Sequence, residues 1–354
     1  MDVLDFDFDL PAELIAQEPA TTRESARLLV LTRHTGTIEH RSVADLPDLL
    51  RQGDVLVLNN TRVFPARLLG RRVPSGGAVE CLLIGRAGAD DHGGSEEVWE
   101  ALMHPGQRLG PGARMVFEGV RTIRGEVLER RFHGRRLIRL STVDAAPLDD
   151  AIEAIGHVPL PPYIRRSDIQ ADRDRYQTVF ARERGSVAAP TAGLHLTREL
   201  LTALSRQGVT VAEITLHVGY GTFQPVRVDR VEDHRVEPER YRISDHAADA
   251  INRALDERRR IIAVGTTTTR TLEAVALANG GRSAAGAGLT SLFIYPGFQF
   301  RAIGGLLTNF HLPRSSLLML VSAFAGREQV LQAYRVAVGH KYRFYSYGDA
   351  MLIL

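Results

Sequence analysis

The sequence predicts a mixed α/β domain, formed by residues 1–61 and 150–354, with a small all-β domain inserted at residues 62–149. In the last part of the chain, strand-like and helix-like patterns alternate, which is typical of α/β proteins. The inserted segment instead shows short alternating runs separated by turns rich in glycine and proline, which is typical of antiparallel sheets. The length of 354 residues is sufficient for about two domains.

The segment before the insertion is predicted to contain one short helix, at residues 12–17, and one buried strand, VLVL at residues 55–58. A continuous apolar run of this length is consistent with a strand covered on both faces. In the insertion, VECLLI, RMVFEGV and TIRGEVL are predicted strands, and LERRFHGRRLIRL indicates a hairpin that turns at His133 and Gly134. The proline-rich GHVPLPPYIRR that follows favours an extended strap leading back to the α/β domain.

The remainder of the chain is predicted to alternate between helices and strands. Thr197 is a suitable N-cap for a helix that ends at Gly208, and the strand VTVAEITLHV then runs as far as Gly219. A helix at residues 245–258 precedes the strand IIAV, after which the loop GTTTTR leads into the helix TLEAVALA. SLFIY is predicted to be another strand, and two helices and a terminal strand complete the chain.

The composition limits the classes of protein to which the chain can belong. Hydrophobic residues make up 44% and charged residues 24%, which is ordinary for a globular protein. The single cysteine, Cys81, excludes a disulfide framework and a zinc site built from cysteines. The longest apolar run, at residues 317–325, is too short to span a bilayer, and the acidic N-terminal residues do not resemble a targeting signal. We therefore expect a soluble, cytoplasmic protein without a membrane partner.

Arginine almost completely replaces lysine in this sequence. Lysine and arginine together number 44, and Lys341 is the one lysine. Nine arginines fall between residues 108 and 141, where there are three acidic residues. Two interpretations remain open: a solvated strand face in a chain with a general bias towards arginine, or a surface that binds the phosphates of a nucleic acid.

Four loops of the predicted α/β domain share glycine, threonine, asparagine and histidine residues where a strand ends or a helix begins. They are SVAAPTAGLHLT at 186–197, LHVGYGTF at 216–223, VGTTTTRTLE at 264–273 and LLTNFHLP at 306–313. Ligands of α/β proteins bind at such loops, because backbone N–H groups are free there. The motifs GxGxxG after a strand, GxxxxGKS or GxxxxGKT, and HExxH are absent, which argues against a dinucleotide or ATP-hydrolysing site.

Three histidines in these loops, His195, His217 and His311, are candidates for chemistry. They are far apart in sequence, so zinc ligation, structural hydrogen bonding and acid–base catalysis all remain open. An unperturbed imidazole has a pKa of about 6.5 and is therefore suited to proton transfer.

Long strings of residues along almost the whole chain resemble the S-adenosylmethionine:tRNA ribosyltransferase-isomerase family of queuosine biosynthesis. They are GDVLVLNNTRVFPARL, GHVPLPPYI, YQTVFA, GSVAAPTAGLH, ITLHVGYGTFQPV, AVGTTTTRTLE, FIYPGFQF, LLTNFHLPRSSLLMLVSAFAG and KYRFYSYGDAMLI. The resemblance implies an α/β domain built around a β-barrel-like sheet, with an inserted, antiparallel and barrel-like β domain.

The resemblance also implies a reaction. The enzyme would transfer and isomerise the ribosyl moiety of S-adenosylmethionine onto 7-aminomethyl-7-deazaguanine at the wobble position of a tRNA with a GUN-type anticodon. The products would be epoxyqueuosine-tRNA, adenine and methionine. S-Adenosylmethionine would act as a cosubstrate without a prosthetic group or metal, since its sulfonium already makes methionine a good leaving group. We expect a monomer.

Residue roles follow from the resemblance at matching motif positions. The candidates for acid–base catalysis are His195, His217, His311 and Asp349. Those for binding the cosubstrate are Thr191, Gly193, Gly219, Gly221, Thr222, Thr266, Thr267, Arg270 and Asn309. Those for binding the tRNA nucleotides are Asn59, Asn60, Arg62, Tyr163, Arg165 and Arg166. Among them, Thr266, Thr267 and Arg270 are expected to hold the methionine carboxylate at a helix start.

The sequence departs from the family pattern at residues 234–241, HRVEPERY, so no role there is carried over beyond Glu237 or Glu239. Thr268 and Thr269 also stand where relatives often have serine and an apolar β-branched residue. Two other functions remain open. A phosphoribosyl- or methyl-transferring enzyme would yield pyrophosphate or a methylated product without adenine. A non-catalytic RNA-binding protein would bind tRNA regardless of S-adenosylmethionine.

Overall fold

The protein combines a large mixed sheet covered by helices with a closed antiparallel barrel. It is described here from a computed structural model that covers residues 1–87, 93–223 and 225–354. These residues form a nine-stranded sheet, a six-stranded barrel and a two-stranded sheet. The predicted fold class, mixed α/β with an inserted antiparallel barrel, is confirmed.

Seventeen strands lie within the described residues. They are β1 Arg27–Thr32, β2 Thr37–Ser42, β3 Val55–Asn59, β4 Thr61–Val63, β5 Arg67–Val73, β6 Ala78–Arg86, β7 Glu96–His104, β8 Arg114–Glu118, β9 Thr122–Arg130, β10 Arg135–Thr142, β11 Glu183–Ser186, β12 Thr210–Leu216, β13 Glu239–Ile243, β14 Ile261–Val264, β15 Gly286–Thr290, β16 Gly305–Asn309 and β17 Ala350–Ile353. The α-helices are α1 Leu46–Leu49, α2 Leu148–Ile155, α3 Asp172–Arg175, α4 Arg198–Arg206, α5 Asp245–Asp256, α6 Thr266–Ala278, α7 Ser316–Ala325 and α8 Arg327–Gly339. In the described parts of the chain, every helix is too short or too polar to serve as a transmembrane span.

The large sheet has four parallel strands at its centre. Its order is β15-β13-β12-β3-β14-β16-β17-β1-β2, and β12, β3, β14 and β16 run in the same direction. The pairing of the large sheet runs from β15 at one edge to β2 at the other, whereas the six strands of the barrel close into a ring. The carboxyl ends of the four parallel strands therefore meet at one edge, which is where α/β proteins bind ligands.

Strand β3 is apolar throughout because both faces of the sheet are covered. Val55 and Val57 belong to the apolar core on the face that carries α5, α6, α7 and α8. Leu56 and Leu58 belong to the core on the opposite face, with α1 and α4. Since successive side chains of a strand point to opposite faces, a half-exposed strand would need polar residues at alternate positions. The prediction of a strand buried on both sides is confirmed.

The barrel has the strand order β10-β7-β6-β5-β8-β9, and all neighbouring strands are antiparallel. Cys81, Phe117 and Ile138 are among the side chains that fill it, and α2 packs three apolar residues into the same core. The predicted hairpin at His133 and Gly134 joins β9 to β10. All six strands lie within the segment predicted to be inserted, and the domain limits at residues 61 and 150 stay a prediction.

The thiol of Cys81 is expected to react only when the barrel opens. Its side chain is fully buried, and burial raises the pKa of the thiol well above its usual range. Because the thiolate is the reactive form, both effects protect it. A chromogenic disulfide reagent should detect no thiol in the native protein and one thiol per chain in denaturant. Rapid labelling of the native protein would contradict this packing of the barrel core.

The chain enters and leaves the barrel at one place. Strand β4 leads out of the large sheet and pairs in parallel with β11, by which the chain returns. The predicted strap, residues 156–166, contains no helix or strand and is fastened by Gln17. The Nε2 atom of Gln17 donates to the carbonyl oxygen of Tyr163, and its Oε1 atom accepts from the N–H of Arg165.

Three local predictions are wrong. The predicted helix at residues 12–17 is reduced to a 3-10 turn, Ala12–Leu14. SLFIY, at residues 291–295, forms no strand, because the N–H of Leu292 bonds to the hydroxyl of Thr290 instead of a neighbouring strand. GTTTTR is not a loop, since α6 begins at Thr266 and the threonine hydroxyls bond back along the helix.

Candidate functional site

A cavity of about 390 Å³ lies at the carboxyl edge of the parallel strands. Thr266 and Thr267 reach it from the start of α6, and Thr308 and Asn309 reach it from the end of β16. Its other walls include Tyr163, Thr191, Val218, Thr222, His311, Arg314, Tyr345 and Ser346. Each of the four loops singled out in the sequence contributes to this one cavity.

The N-terminus of α6 forms one wall of the cavity. Gly265, just before the helix, has a φ of 94°, a conformation that favours glycine, and lines the cavity. The hydroxyls of Thr268 and Thr269 donate to the carbonyls of Val264 and Gly265 at 2.7 and 3.1 Å. The first N–H groups of this helix have no partner within it, so they and the helix dipole favour an anionic group.

Asn309 is fixed at the end of β16 by two hydrogen bonds. Its Nδ2 donates to Nε2 of His195 at 3.2 Å and to the carbonyl oxygen of Tyr345 at 2.9 Å. Its Oδ1 is buried and has no hydrogen-bond partner among the described residues. Because an amide oxygen accepts up to two hydrogen bonds, this oxygen is available to a ligand that donates one.

His195 stands behind Asn309 and does not line the cavity. It ends the 3-10 turn Thr191–His195, and burial, with nearby Arg23 and Arg343, lowers its pKa to about 4. The imidazole is therefore neutral at neutral pH, and its Nε2 accepts the hydrogen bond from Asn309. In this place His195 orients Asn309, and its acid–base role stays a prediction.

His311 lines the cavity and is also uncharged. Its Nε2 lies 2.8 Å from the hydroxyl of Thr308, and its backbone N–H donates to the hydroxyl of Tyr334 at 3.0 Å. Burial lowers the pKa of the imidazole to about 3. Within the described residues, no group of three or more histidine, cysteine or carboxylate side chains is placed to hold a metal ion.

Acidification is expected to destabilise the protein, because His195 and His311 are buried in the neutral form. Their pKa values are about 4 and about 3 in the folded protein, and about 6.5 for a histidine in an unfolded chain. Below pH ~6.5 the unfolded state binds more protons than the folded state, so the contribution of the two histidines to stability is fully present above this pH. It falls towards pH ~4 by up to about 1.4 kcal/mol per pH unit for each histidine.

Denaturant titrations over this pH range check the expectation, and H311Q, which removes one titrating group, should reduce the slope. A free energy of unfolding that stays constant between pH ~7 and ~5 would contradict buried neutral histidines.

Tyr163 and Tyr345 form a stacked pair in the cavity wall, with ring centroids 4.4 Å apart and ring planes at 25°. The hydroxyl of Tyr163 lies 2.6 Å from that of Ser346, and burial raises its pKa above the usual range. Tyr345 has a φ of 73°, which is sterically unfavourable for a residue with a side chain. Such strain is found mainly at ligand and active sites.

A buried ion pair supports the loop after β12. Arg270 donates from Nη1 to Oε2 of Glu239 at 2.6 Å, and from Nε to the carbonyl of Leu292 at 3.0 Å. The other carboxylate oxygen of Glu239 accepts from the N–H of Gly219 and the hydroxyl of Thr222 at 3.1 and 3.2 Å. Arg270 does not line the cavity but supports it through Glu239, and its contact with a ligand carboxylate stays a prediction.

Asn59 and Asn60 fasten the end of β3 to β12. Asn59 donates to the carbonyl of Leu216 at 2.9 Å and accepts from the N–H of the same residue at 3.0 Å. Asn60 donates to Glu213 at 3.1 Å and accepts from the hydroxyl of Thr215 at 2.8 Å. Both amides are occupied by the protein, so their contact with a nucleotide stays a prediction.

A second concavity, of about 510 Å³, lies between the barrel and the large sheet, and we call it the barrel groove. It shares Val218 and Thr222 with the first cavity. His217 lines it, 2.9 Å from the hydroxyl of Thr61, and burial lowers its pKa. The other residues of the groove that matter here are Gly219, Gly221, Arg86, Glu100, Arg131, Arg135, Arg184, Glu237, Glu239 and Arg240.

Gly193 and Asp349 lie outside both concavities. A Cβ atom on Gly193 would stand 2.8 Å from the ring of Phe180, so this glycine allows close packing. Asp349 accepts from the backbone N–H and the guanidinium of Arg27 and from the N–H of Arg343, and thereby holds the turn before β17. The roles predicted for both residues stay predictions.

The predicted tRNA contacts on the strap are separated by the fold. Tyr163 lies in the cavity, whereas Arg166 forms two hydrogen bonds with Asp172, at 2.6 and 2.9 Å. Arg165 is exposed beside a third concavity between the strap and the barrel, and Arg62 is exposed 3.9 Å from a glutamate.

Most of the nine arginines between residues 108 and 141 already have partners in the barrel. Arg136 is buried and donates to three carbonyl oxygens. Arg121, Arg131, Arg135 and Arg139 lie within ion-pair distance of carboxylates, and Arg130 donates to a carbonyl. Arg108, Arg114 and Arg124 are exposed and have no side-chain partner among the described residues.

Sequence reasoning missed several groups that build the site. Glu239 belongs to the divergent segment 234–241, and nothing in the sequence indicates that it pairs with Arg270. Tyr345 and Ser346 belong to the string KYRFYSYGDAMLI, in which the sequence points to Asp349 alone. Their proximity to Tyr163 depends on the strap, which brings a distant segment into the cavity.

Comparison with known proteins agrees with this description. A family model described as queuosine biosynthesis protein matches residues 3–353. Proteins of Desulfitobacterium hafniense and Moorella thermoacetica, both described as S-adenosylmethionine:tRNA ribosyltransferase-isomerase, are 51% identical over 354 residues and are matched over 100% of both chains. A crystal structure of S-adenosylmethionine tRNA ribosyltransferase from Thermotoga maritima is 37% identical, covers 99% of this chain and 100% of its own, and superposes with a TM-score of 0.55. The resemblance seen in the sequence is thus confirmed, and the chain belongs to the queuosine biosynthesis protein family.

Proposed function

We propose that this chain transfers and isomerises the ribosyl moiety of S-adenosylmethionine onto 7-aminomethyl-7-deazaguanine in tRNA, with release of adenine and methionine. The observation that carries the proposal is the convergence of four loops on one cavity at the carboxyl edge of the sheet. Its volume of about 390 Å³ is that of a site for a small molecule. The relatives that share half of the sequence over its full length are described by this activity.

The polar groups of the cavity suit the two ends of the cosubstrate. The N–H groups of Thr266 and Thr267 at the start of α6 would bind the methionine carboxylate. The free Oδ1 of Asn309 would accept a hydrogen bond from the adenosine part. Holding both ends in register with the modified base is itself a large part of catalysis, since proximity contributes roughly 7–11 kcal/mol.

The charge distribution of the cavity favours loss of the sulfonium. None of the described residues that line it is a carboxylate, and Arg314, which does line it, is paired with Asp7 at 2.8 Å. The positive charge of the bound cosubstrate is therefore not neutralised by the wall, and it disappears when methionine departs. An environment that stabilises the transition state more than the charged ground state accelerates the reaction. His311 lines the cavity in its neutral form, with a pKa of about 3, so it adds no charge to the wall, and its acid–base role stays a prediction.

The barrel groove is proposed to bind the tRNA. Five arginines and three glutamates line it, and it joins the cavity at Val218 and Thr222, so a base held in the cavity would leave its backbone in the groove. We propose further that the tRNA has a GUN-type anticodon, because a 7-deazaguanine is an analogue of a wobble guanine. The protein would act as a monomer in the cytoplasm.

One assay tests the function. The protein is incubated with S-adenosylmethionine and tRNA that carries the deazaguanine precursor, and adenine, methionine and the modified nucleoside are separated by chromatography. We expect one adenine per modified nucleoside, and no adenine with tRNA that has guanine at the wobble position. A methylated product or pyrophosphate would support the transferase alternative. Binding of tRNA without any adenine release would support a non-catalytic RNA-binding protein and overturn the proposal.

A further inference from the structure

The tip of the β9–β10 hairpin carries an aromatic side chain in open solvent. Phe132 is 89% exposed, which makes it the most exposed large apolar side chain among the described residues. Single exposed apolar residues are common on protein surfaces, so exposure by itself indicates nothing. Aromatic side chains, however, bury much of their surface in folded proteins, and covering the apolar surface of a nearly bare phenyl ring is energetically favourable.

Arginines surround this ring. Arg130 and Arg131 precede it and are exposed. The guanidinium of Arg130 makes one hydrogen bond, to the carbonyl of Gln107 at 3.1 Å, and that of Arg131 lies 3.7 Å from the exposed carboxylate of Glu129. Loose surface pairs of this kind contribute little and exchange readily. The tip therefore offers an apolar ring next to two exposed cations whose weak contacts leave them able to bind a phosphate.

Residues next to the hairpin tip line two of the concavities of the protein. Arg131 and Arg135, on either side of Phe132, line the barrel groove. Gly134 lines the concavity between the barrel and the strap. Arg135 forms an ion pair with Glu237 of the segment before β13, which ties the base of the hairpin to the large sheet. The hairpin is thus held beside the groove that leads to the cavity.

A comparison within the barrel shows that this arrangement is local. Val120, in the turn between β8 and β9, is 86% exposed, and its neighbour Arg121 does not line the barrel groove, whereas Arg131 beside Phe132 does. The arginine beside it, Arg121, is bonded to Asp144 at 2.5 Å. The two turns thus share an exposed apolar residue, but it is the Phe132 turn whose neighbouring arginines are loosely paired and reach the groove through Arg131.

We propose that Phe132 is a stacking platform for an unpaired base of the tRNA, with Arg130 and Arg131 on the flanking phosphates. Unpaired loop bases are typically recognised by stacking on aromatic side chains beside arginines. This inference rests on the proposed function. It adds to it a protein surface that binds the tRNA loop next to the modified nucleotide.

The test is equilibrium binding of fluorescently labelled precursor tRNA to wild type, F132A, F132W and the control V120A at several salt concentrations. We expect F132A to weaken binding about tenfold, because it removes the ring on which a base would stack. The slope of log Kd against log salt should stay unchanged, since no charge is removed, whereas R131A should reduce it by about 0.7–0.9. V120A should bind like wild type.

F132W provides a direct signal of stacking. The chain has one tryptophan, Trp99, which is buried in the barrel core, so the new indole is the exposed one. Its fluorescence should be quenched by tRNA and should remain unchanged with S-adenosylmethionine alone. Wild-type affinity in F132A would overturn the inference. So would self-association of wild type that F132A abolishes, because the ring would then cover a second copy of the chain.

The inference and the proposed function fail in different ways. If wild type releases adenine and F132A binds tRNA normally, the stacking platform is wrong and the function stands. If F132A loses affinity and wild type releases no adenine, the platform stands and the proposed reaction is wrong. Calorimetric binding of S-adenosylmethionine, which should be the same in wild type and F132A, shows that the cavity is intact in both.

Discussion

Replacing Arg270 by methionine (R270M) is expected to lower the free energy of unfolding by about 3–5 kcal/mol, because it leaves a buried carboxylate without its cation. Arg270 and Glu239 expose 6% and 5% of their side chains, so water cannot replace the lost partner. Glu239 also holds the N–H of Gly219 and the hydroxyl of Thr222, so the cavity wall should move with it. Chemical denaturation measures the first effect, and the KM for S-adenosylmethionine measures the second.

The matched control for R270M is R282M, which breaks an arginine–carboxylate pair of similar geometry in full solvent. Arg282 bonds to both oxygens of Asp256 at 2.7 and 3.1 Å, and both side chains are exposed. We expect no measurable change in stability or activity, because surface pairs are screened by water and salt. If R270M unfolds as wild type does, the buried pair does not stabilise the fold.

Replacing Asn309 by alanine (N309A) is expected to reduce kcat/KM for adenine release about 100-fold. The change removes the donor to His195 and Tyr345 and the acceptor Oδ1, which has no partner among the described residues. Loss of buried hydrogen-bonding groups costs about 1–3 kcal/mol each, and each 1.4 kcal/mol is about tenfold in rate. Adenine release measured at several S-adenosylmethionine concentrations separates an effect on KM from one on kcat.

Two variants show whether this loss is specific. N279A changes an exposed asparagine at the opposite end of α6, whose side chain bonds to the carbonyl of Val275, and should keep wild-type activity. N309D keeps the shape but replaces the donor to His195 by a carboxylate oxygen, so it should be impaired as well. Normal activity of N309A would show that the cosubstrate does not contact this residue.

The elements that follow local rules were predictable from the sequence. The continuous apolar run of β3, the N-cap Thr197 of α4 and the turn at Gly134 each depend on residues that are close in the chain. Residues 291–295 show where such rules fail. Their apolar pattern is that of a strand, but the N–H of Leu292 bonds to the hydroxyl of Thr290, and its carbonyl accepts from Arg270.

The sequence predicts which loops form the cavity, but it does not predict which of their side chains contact a ligand. Glycine, threonine and histidine after strand ends indicate a binding edge, because topology alone brings those loops together. Whether a side chain faces a ligand or another side chain depends on partners far away in sequence. Asn59 lies at the right edge, yet both of its polar atoms bond to Leu216. His195 has the right chemistry, yet its Nε2 bonds to Asn309.

Strand β3 is synthesised early, yet both of its neighbours are synthesised late. Strands β12 and β14 follow only after the whole barrel, and β16 and β1 are joined through β17 at the end of the chain. Contacts between such distant segments form slowly, because chain entropy is lost before any contact compensates for it. The barrel needs only strands between Arg67 and Thr142, so it is able to assemble during translation. The apolar β3 is thus a segment of the nascent chain that must be shielded from aggregation until β12 and β14 have been synthesised.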